Sequence, residues 1–577
     1  MMFKLFRFVR PYRMWVVAVV LLMFLQSIAQ LYLPTLMADI VDIGVVNGDA
    51  GYILQTGAMM LLFAAFGTLC NVTAGFMSAK TAAGFGKIVR GNVFAHVETF
   101  SLQEFDKFGT ASMITRTTND ITQVQQVLFM LMRMFLSAPL MIVGGIVMAV
   151  SKDATLSLVL VAVIPLLVAV IVLVASKGLP LFQIMQAKLD RLNLVLRENL
   201  TGIRVVRAFN RTEWERSRFR TANESLTDTA IKVTRIMSVI FPIMLLLLNL
   251  SLVAIMWFGG IRIDNQHMQV GDLIAFTQYA AQILMSLTMV SMMFMMIPRA
   301  SASAVRINEV LNTEPSIVDR TGARENAYVQ RGVVEFDSVT FRYPGAEQPA
   351  VRNISFTARP GEMTAIIGGT GSGKSTLMNL LMRFYDVDGG GIRINGQDIR
   401  EMRQEQLRGL VGYVPQKASL FSGTVAENIR FGSDAATMEE VEHAAEVAQA
   451  KPFIDEMKEG FDSAVSQGGT NYSGGQKQRL SIARAIARGP AVYVFDDSFS
   501  ALDFKTDALL RASLRAETED ATMLVVAQRV STIMNADRII VLDDGEVAGI
   551  GTHRELLASC GVYREIVTSQ LSEEEIQ

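Results

Sequence analysis

Hydrophobic residues in the first half of the chain are concentrated in long runs, and polar residues collect between these runs. A helix needs about 20 consecutive apolar residues to cross the hydrocarbon core of a bilayer. Six runs reach this length, and we predict that they are transmembrane helices that anchor the chain in a lipid bilayer. They cover approximately residues 14–37, 53–79, 127–150, 154–176, 236–261 and 273–297.

The second half of the chain has a different pattern, in which short β-rich runs alternate with helical segments. This alternation predicts an α/β domain. Residues 312–332 are polar, contain one proline and two glycines, and are typical of a linker. We therefore place a membrane domain at 1–311 and an α/β domain at 333–577. The predicted strands lie near 333–343, 363–367, 410–414, 491–495, 522–526 and 537–542.

The charges on the two sides of the first apolar run have opposite signs. Because basic residues are enriched on the cytosolic side of membranes, the N-terminus is predicted to be cytosolic, and six spans return the α/β domain to that side. The run is too long for a signal-peptide core and lacks a clear cleavage site, so we expect it to remain as an anchor. The flanking residues are Lys4, Arg7, Arg10 and Arg13 before the run, and Asp39, Asp42 and Asp49 after it.

Composition excludes some classes of protein. Hydrophobic residues make up 51% of the 577 residues, which is too apolar for a wholly soluble chain of this length. The formal net charge of −2 gives no indication of a nucleic-acid partner. Cys70 falls in a predicted span and Cys560 in the α/β domain, so we expect no disulfide framework.

The α/β domain contains a glycine-rich phosphate-binding motif. The sequence GGTGSGKST fits G-x-x-x-x-G-K-[ST] and lies between a predicted strand, Met363–Ile367, and a predicted helix, Leu377–Phe384. In such a loop main-chain N–H groups approach the phosphates, Lys374 reaches the β and γ phosphates, and Ser375 binds Mg²⁺. The predicted nucleotide-binding residues are Gly368, Gly369, Thr370, Gly371, Ser372, Gly373, Lys374, Ser375 and Thr376.

A second stretch, Asn471–Asp503, points to the same chemistry. Its small residues Ser473–Gln476 are predicted to open a helix, and backbone N–H groups at a helix start can hold an anion. The apolar run Ala491–Phe495 is typical of a buried parallel strand and brings Asp496 to the strand's carboxyl end. Asp496 completes the surroundings of the metal there, and the two motifs together predict a site for ATP and Mg²⁺.

With both motifs in place, the second half of the chain resembles an ATP-binding cassette, and almost the whole chain resembles an exporter-type ABC half-transporter. The resemblance implies six transmembrane helices followed by a P-loop α/β domain, and two cassettes that sandwich two ATP molecules. This chain supplies one cassette. The resemblance also implies that Tyr343 stacks on adenine and that Gln416 senses the interface and joins Ser375 and Asp496 at the metal. In the family, residues matching Ser473, Gly474, Gly475 and Gln476 contact the nucleotide on the opposite cassette, and Asp503 lies in the SALD loop that crosses the interface.

Two positions depart from the family's active pattern. The catalytic glutamate that polarises the attacking water is replaced by Asp497, and the switch histidine is replaced by Gln528. Aspartate is shorter than glutamate by one methylene, about 1.5 Å, and glutamine cannot carry a proton as imidazole can. These residues predict a site that binds ATP well and hydrolyses it poorly, unless Asp497 works as a base through an added water.

This pattern is similar to the degenerate-site subunit of heterodimeric bacterial multidrug ABC exporters. It implies a partner half-transporter that carries Glu and His at the two positions and an altered signature, in the plasma or inner membrane of a bacterium. The intact signature of this chain would then complete the partner's active site. Two alternatives stay open: a homodimeric lipid or drug exporter with Asp497 as catalytic base, and a non-transporting ATP-binding regulatory subunit.

The spacing of the spans fits the exporter layout. The connections after the second and fourth spans hold roughly 45 to 60 residues, enough for helices that extend past the bilayer and return. Within them Glu104–Met113 and Arg207–Ser217 resemble the segments that couple the membrane domain to the cassettes, with a solvated charged surface as the alternative reading. Gln467 stands where many exporters have glutamate, which puts the strength of contact with the partner's coupling segments in doubt.

The spans themselves indicate the class of cargo. Charge is scarce within them, and Arg133 is an exception that either snorkels to the interface or faces a cavity. No dedicated ion pathway is evident, which favours a small apolar or amphipathic substrate such as a drug, lipid or peptide. The sixth run is rich in methionines, which suit variable apolar ligands but also fill protein cores. They are Met285, Met289, Met292, Met293, Met295 and Met296.

Overall fold

The computed structural model describes residues 2–319 and 332–571. The chain forms two compact units, the first helical and the second containing the described strands. The division is discontinuous because a short segment between two long helices of the first unit is grouped with the second. The first unit comprises Met1–Glu98 and Thr110–Thr313, and the second comprises Thr99–Gly109 and Glu314–Gln577.

The segment grouped with the second unit contains part of the first predicted coupling segment. Its helix, Leu102–Phe108, begins with a capping box in which the Ser101 backbone N–H donates to the Glu104 carboxylate at 2.8 Å. The sequence pattern places this segment within the predicted membrane domain, 1–311. Of the predicted linker 312–332, residues 320–331 lie outside the described residues.

Long apolar helices build the first unit. Within the described residues, six are long and apolar enough to cross a membrane, and each overlaps one predicted run. The fourth begins at Leu158 because Asp153 forms a turn before it, accepting a hydrogen bond from the Leu156 backbone N–H at 2.8 Å and pairing with Arg262 at 2.6 Å. The six helical segments are Phe6–Val45, Ala50–Val97, Thr110–Lys152, Leu158–Thr201, Thr212–Asp264 and Val270–Val290.

Several of these segments change helix type along their length. A 3₁₀ turn at Phe6–Tyr12 precedes the first span, and the backbone is π-helical at Ile40–Val45, Arg116–Asp120 and Leu131–Phe135. The α-helices of the unit are Met2–Leu5, Arg13–Asp39, Ala50–Val97, Thr110–Thr115, Ile121–Met130, Leu136–Lys152, Leu158–Thr201, Ile203–Ala208, Thr212–Ser238, Ile240–Asp264 and Val270–Asn312.

A buried carboxylate links the third and sixth long helices. Asp120 is fully buried and accepts hydrogen bonds from Arg306 Nε at 2.7 Å and from the Ser303 hydroxyl at 2.9 Å. A buried charge that loses its partner is strongly destabilising, so this pair holds the two helices in one arrangement.

Twelve described strands and a series of short helices form the second unit. In chain order the strands β1 to β12 are Val334–Phe341, Val351–Ala358, Met363–Gly368, Gly389–Ile394, Gln397–Asp398, Val411–Val414, Gly423–Thr424, Ala464–Val465, Val492–Asp496, Thr522–Val526, Arg538–Asp543 and Glu546–Gly551. The α-helices are Leu102–Phe108, Lys374–Leu381, Gln404–Leu410, Val425–Arg430, Met438–Val447, Lys451–Asp455, Gly474–Ile486, Phe504–Glu517, Val530–Ile533, His553–Ser559 and Gly561–Gln570, with 3₁₀ turns at Ile399–Glu401, Gly460–Asp462 and Gln467–Gly469.

The strands form a six-stranded sheet in the order β12-β11-β3-β10-β9-β6, a four-stranded sheet in the order β2-β1-β4-β5, and the pair β7-β8. In the larger sheet β11, β3, β10, β9 and β6 are parallel, while β12 is antiparallel. Apolar clusters cover both of its faces, and β9 and β10 are buried throughout. Helical spans followed by this domain confirm the predicted fold class. The parallel strands end at one edge, where the candidate site lies.

Three longer strands, β2, β4 and β12, were not predicted. β4 begins with three glycines, which are depleted in strands. Its backbone is ordered by antiparallel pairing with β1, where Ile392 lies opposite Phe336. The local composition of β4 therefore does not predict a strand, because β4 is stabilised by its pairing with β1.

Candidate functional site

The glycine-rich loop joins β3 to the helix Lys374–Leu381. Gly371 and Gly373 have φ angles of +87° and +93°, which side-chain-bearing residues rarely adopt, so the path of the loop depends on glycine. The helix begins at Lys374, before the predicted Leu377, and the end of the motif forms its first turn. Gly373 supplies no side-chain cap, which leaves the first N–H groups facing the loop for an acceptor such as phosphate.

The Lys374 ammonium group lies inside this loop. It donates to the carbonyl oxygens of Gly368 at 2.9 Å and Gly369 at 2.7 Å. Burial lowers the pKa of Lys374, and the negative charges of Asp497 and Asp496 oppose that shift. The lysine is therefore a partly desolvated cation, and a phosphate beside it would meet a stronger attraction than in water.

Ser375 and Asp496 lie together at the junction of the loop and β9. The Ser375 hydroxyl donates to Asp496 Oδ1 at 3.0 Å, and burial raises the pKa of Asp496. Mg²⁺ prefers oxygen ligands and is usually bound by one or two carboxylates together with substrate phosphates. Among the described residues no cluster of three or more His, Cys, Asp or Glu could hold a metal alone. A hydroxyl and a carboxylate beside a phosphate-binding loop fit Mg²⁺ bound to a nucleotide.

Asp497 follows directly and is held by two glutamine side chains. Its Oδ2 atom accepts hydrogen bonds from Gln416 Nε2 at 3.1 Å and from Gln528 Nε2 at 2.8 Å. The Asp497 backbone has φ of +49°, and its N–H donates to the Val526 carbonyl of β10 at 2.9 Å. Burial raises the pKa of Asp497, while the Gln416 hydrogen bond lowers it. The structure thus joins the two departing positions, Asp497 and Gln528, to Gln416 by direct hydrogen bonds.

Tyr343 lies near the loop, with its hydroxyl 3.2 Å from the Thr376 hydroxyl. Its ring meets the Tyr385 ring edge-on, with 5.3 Å between centroids, and both rings line a pocket of about 410 Å³. This placement is compatible with an aromatic platform beside a nucleotide.

Tyr385 was missed by the sequence analysis. Its hydroxyl donates to Asp106 Oδ2 at 3.0 Å, and Asp106 lies in the first predicted coupling segment. Burial raises the pKa of Tyr385, and the hydrogen bond to Asp106 adds to the rise. The resemblance of the segment around Asp106 to a coupling segment was a signal that it contacts the cassette. The sequence could not show which residue it contacts, because Tyr385 is far from Asp106 along the chain.

The signature residues open a helix, as predicted. Ser473 caps Gly474–Ile486 in a capping box: its hydroxyl accepts from the Gln476 backbone N–H at 3.3 Å, and its own N–H donates to Gln476 Oε1 at 2.9 Å. Asp503 caps the next long helix by accepting from the Thr506 N–H at 3.0 Å.

The two capped segments are neighbours, since a Cβ atom on Gly475 would lie 3.1 Å from the Ala501 carbonyl oxygen. Ser473 and Asp503 are exposed, and in the described part of the chain neither hydrogen-bonds to the glycine-rich loop. The structure therefore gathers Gly368–Thr376, Gln416, Asp496, Asp497 and Gln528 at one edge and leaves the signature apart from them.

Two family models match the chain: an ABC transporter transmembrane region over residues 16–287 and an ABC transporter domain over residues 351–500. An uncharacterized ABC transporter ATP-binding protein of Mycobacterium tuberculosis (strain CDC 1551 / Oshkosh) is 45% identical over 565 residues, which is 97% of both chains. The chain belongs to the ABC transporter family. It is an exporter-type half-transporter, with a membrane domain joined to one nucleotide-binding domain, and its family couples ATP to transport across membranes.

This ABC transporter is also similar to a lipid flippase and to a solved exporter structure. An ATP-dependent lipid A-core flippase of Vibrio parahaemolyticus is 30% identical over 575 residues, covering 99% of this chain and 98% of the flippase. A solved structure of a bacterial Atm1-family ABC exporter with ATP bound superposes with a TM-score of 0.82 at 28% identity, covering 97% of this chain and 99% of that chain. This likeness confirms the exporter architecture.

A Lys374→Ala variant tests the assignment of the loop. We expect ATP affinity of the purified chain to fall at least about tenfold, because a hydrogen bond to a charged group contributes roughly 1.5–3 kcal/mol. Titration with a fluorescent ATP analogue measures this affinity. Lys458→Ala removes an exposed lysine from the same domain and should leave binding unchanged. Equal affinity of the Lys374 variant and the native chain would refute the assignment.

Proposed function

We propose that this chain is one subunit of an ATP-driven exporter of small apolar or amphipathic compounds, such as lipids, drugs or peptides. Its membrane domain, 1–311, and its cassette, 333–577, act with a second half-transporter that carries the catalytic Glu and His. The chain's own ATP site binds nucleotide and hydrolyses it slowly, and its signature residues complete the partner's active site. The N-terminus and cassette lie in the cytosol of a bacterium.

The observation that carries this proposal is the position of the Asp497 carboxylate. A general base must reach the proton of the attacking water, and the active family pattern places a longer glutamate here. Both glutamine amides donate to the same oxygen, Oδ2, and hold it in a network of side chains. Neither Gln416 nor Gln528 can take up a proton at neutral pH. The local chemistry supports retention of ATP better than its cleavage.

The loop and metal residues support nucleotide binding. The N–H groups of the first turn, Lys374 and Ser375 would bind the phosphates and the metal, and Asp496 with the Gln416 amide oxygen would complete the metal's surroundings. Mg²⁺ bound there would neutralise charge on the β and γ phosphates. ATP held in this way would join the two cassettes before any hydrolysis.

The exposed signature supports a role in a partner's site. Ser473 begins a helix of 13 residues, and N–H groups at such a helix start favour an anion. Its exposure and its separation from the chain's own loop leave it accessible to a nucleotide on another polypeptide. In the proposed assembly the intact signature faces the site that carries Glu and His.

The nature of the cargo is supported by the spans and by one relative. The flippase that resembles this chain is named for a lipid substrate. In the sixth span the Met285 and Met289 side chains are exposed, and flexible thioethers suit varied apolar ligands. The side chains of Met292, Met293 and Met295 lie outside the described residues.

The homodimeric exporter remains a second candidate, because one observation favours it. Burial raises the pKa of Asp497, and a carboxylate with a raised pKa is a stronger general base. In that case two copies of this chain would hydrolyse ATP at two equivalent sites.

ATP turnover by the lone purified chain in nanodiscs separates the two assemblies. We expect it to bind ATP but to turn over at least about 100-fold more slowly than the chain co-purified with its partner, because a misplacement of about 1 Å at a reacting centre costs a factor of that size. Fast turnover that is lost in Asp497→Asn but kept in Asp520→Asn, an exposed control, would overturn the degenerate-site proposal and support the homodimer.

A further inference from the structure

Arg133 is the one residue with a formal charge inside the six apolar runs. Asp, Glu, Lys, Arg and His are absent from the other five runs, and 127–150 contains Arg133 alone. A charged side chain within a membrane is energetically costly, and such residues usually serve a substrate or ion pathway. The contacts of the Arg133 side chain therefore indicate what stabilises a charge at this position.

The guanidinium group is held between two helices. Its Nη2 atom donates to Asn71 Oδ1 on the second span at 2.7 Å, and its Cζ atom lies 5.8 Å from the centre of the Phe129 ring. Gly75, one turn from Asn71, lies beside the group, since a Cβ atom there would be in van der Waals contact with Arg133 Cζ at 3.8 Å. An amide, a glycine and an aromatic ring thus form a receptacle for one side chain.

The backbone supports the same reading. Leu131–Phe135 is π-helical, with Arg133 at its centre. Such interruptions of an α-helix are rare and often occur at functional sites, because the extra residue redirects side chains.

Escape of the side chain to the membrane surface does not account for this geometry. Asn71 lies about eight residues inside the run 53–79, which is roughly 12 Å along a helix at 1.5 Å per residue. An arginine that only avoided hydrocarbon would extend along its own helix toward the surface. Here the guanidinium group instead contacts Asn71 on the neighbouring second span, well inside the apolar run.

Among the described side chains, no carboxylate lies within ion-pair distance of this charge. Within the described side chains Arg133 forms no ion pair and makes no hydrogen bond other than the one to Asn71. Asn71 is neutral, so it orients the guanidinium without cancelling its charge. The group is half-buried, and its remaining N–H donors can bind two oxygens of a carboxylate or of a phosphate.

We propose that Arg133 binds the acidic head group of the exported compound, so that the cargo is an anionic amphiphile with a carboxylate or phosphate on an apolar tail. This inference rests on the proposed export function and adds the charge of the cargo to it. Asn71 is the positioning residue that holds the guanidinium toward the head group.

Four compounds with the same dodecyl tail test the charge preference: the carboxylate, the phosphate, the neutral alcohol and the trimethylammonium. Their affinities are measured from stimulation of ATPase activity by the transporter assembly in nanodiscs. We expect the native protein to prefer an acidic compound over the alcohol by about tenfold or more, since hydrogen bonds to charged groups are the strong ones. The carboxylate and phosphate arms tell the two head groups apart.

The variants assign this preference to one side chain. Arg133→Gln should abolish it, Arg133→Lys should retain part of it, and Asn71→Ala should weaken it. Lys177→Gln, which removes an exposed cation after the fourth run, should leave it intact. The inference would be overturned if the preference survived in Arg133→Gln, or if the native protein bound acidic and neutral compounds equally well. Neither result would contradict the proposed export function. Failure of all four compounds to stimulate the native assembly would instead count against the proposed function.

Discussion

Replacement of Ser473 by tryptophan is expected to reduce the ATPase activity of the transporter assembly by about 100-fold or more. Removal of anion-stabilising donors from a catalytic site typically costs a factor of this size. The native hydroxyl organises the first turn of Gly474–Ile486 through the Gln476 N–H, and its exposed position is where a partner's nucleotide would approach. An indole there removes the cap and blocks the approach. Steady-state phosphate release by the co-purified assembly measures the effect.

A matched control separates loss of catalysis from loss of helix stability. Thr552 caps His553–Ser559 with the same capping-box geometry, accepting from the Glu555 N–H at 3.5 Å, and it is also exposed. Thr552→Trp should cost a similar amount of local stability, roughly 0.5–2 kcal/mol, and leave ATPase activity near native. An unchanged rate in the Ser473 variant would remove the signature from the active site of the assembly.

The double substitution Asp497→Glu with Gln528→His is expected to raise ATP hydrolysis by the lone chain by about 100-fold. Glutamate extends the carboxylate toward the attacking water, and histidine supplies a group that can carry a proton. Either single substitution should gain less, since the native Oδ2 atom of Asp497 is bonded to both glutamines and a change in one member leaves the other contact in place. Single-turnover measurements with bound ATP isolate this step from nucleotide exchange.

The backbone sets a limit on that gain. Asp497 has φ of +49°, a conformation that aspartate tolerates better than glutamate, so part of the improvement is offset by local strain. Addition of Lys374→Ala to the double variant should abolish the gained activity if hydrolysis occurs at this chain's own loop. A double variant as slow as the native chain would show that features other than these two side chains prevent hydrolysis.

Much of the fold follows from local pattern. The apolar runs predict six spans because a bilayer imposes a minimum length on a helix. The runs around 363–367, 491–495 and 522–526 predict β3, β9 and β10 because buried parallel strands are short and continuously apolar. The glycines before Lys374 predict a loop because glycine adopts left-handed backbone angles that other residues rarely adopt. The strand β4 was missed because its order comes from pairing with β1 rather than from its own residues.

The nucleotide motifs could thus be located from spacing and residue type alone, whereas their mutual contacts could not. Gln416, Asp497 and Gln528 are separated by tens of residues, and they meet because β6, β9 and β10 are parallel neighbours whose carboxyl ends share one edge. Packing between elements also decided which residues contact Tyr385 and Arg133, since Asp106 and Asn71 lie on other elements. Local sequence determines the backbone angles and the polarity of each segment. Hydrogen bonds between distant segments form only when tertiary packing brings those segments together.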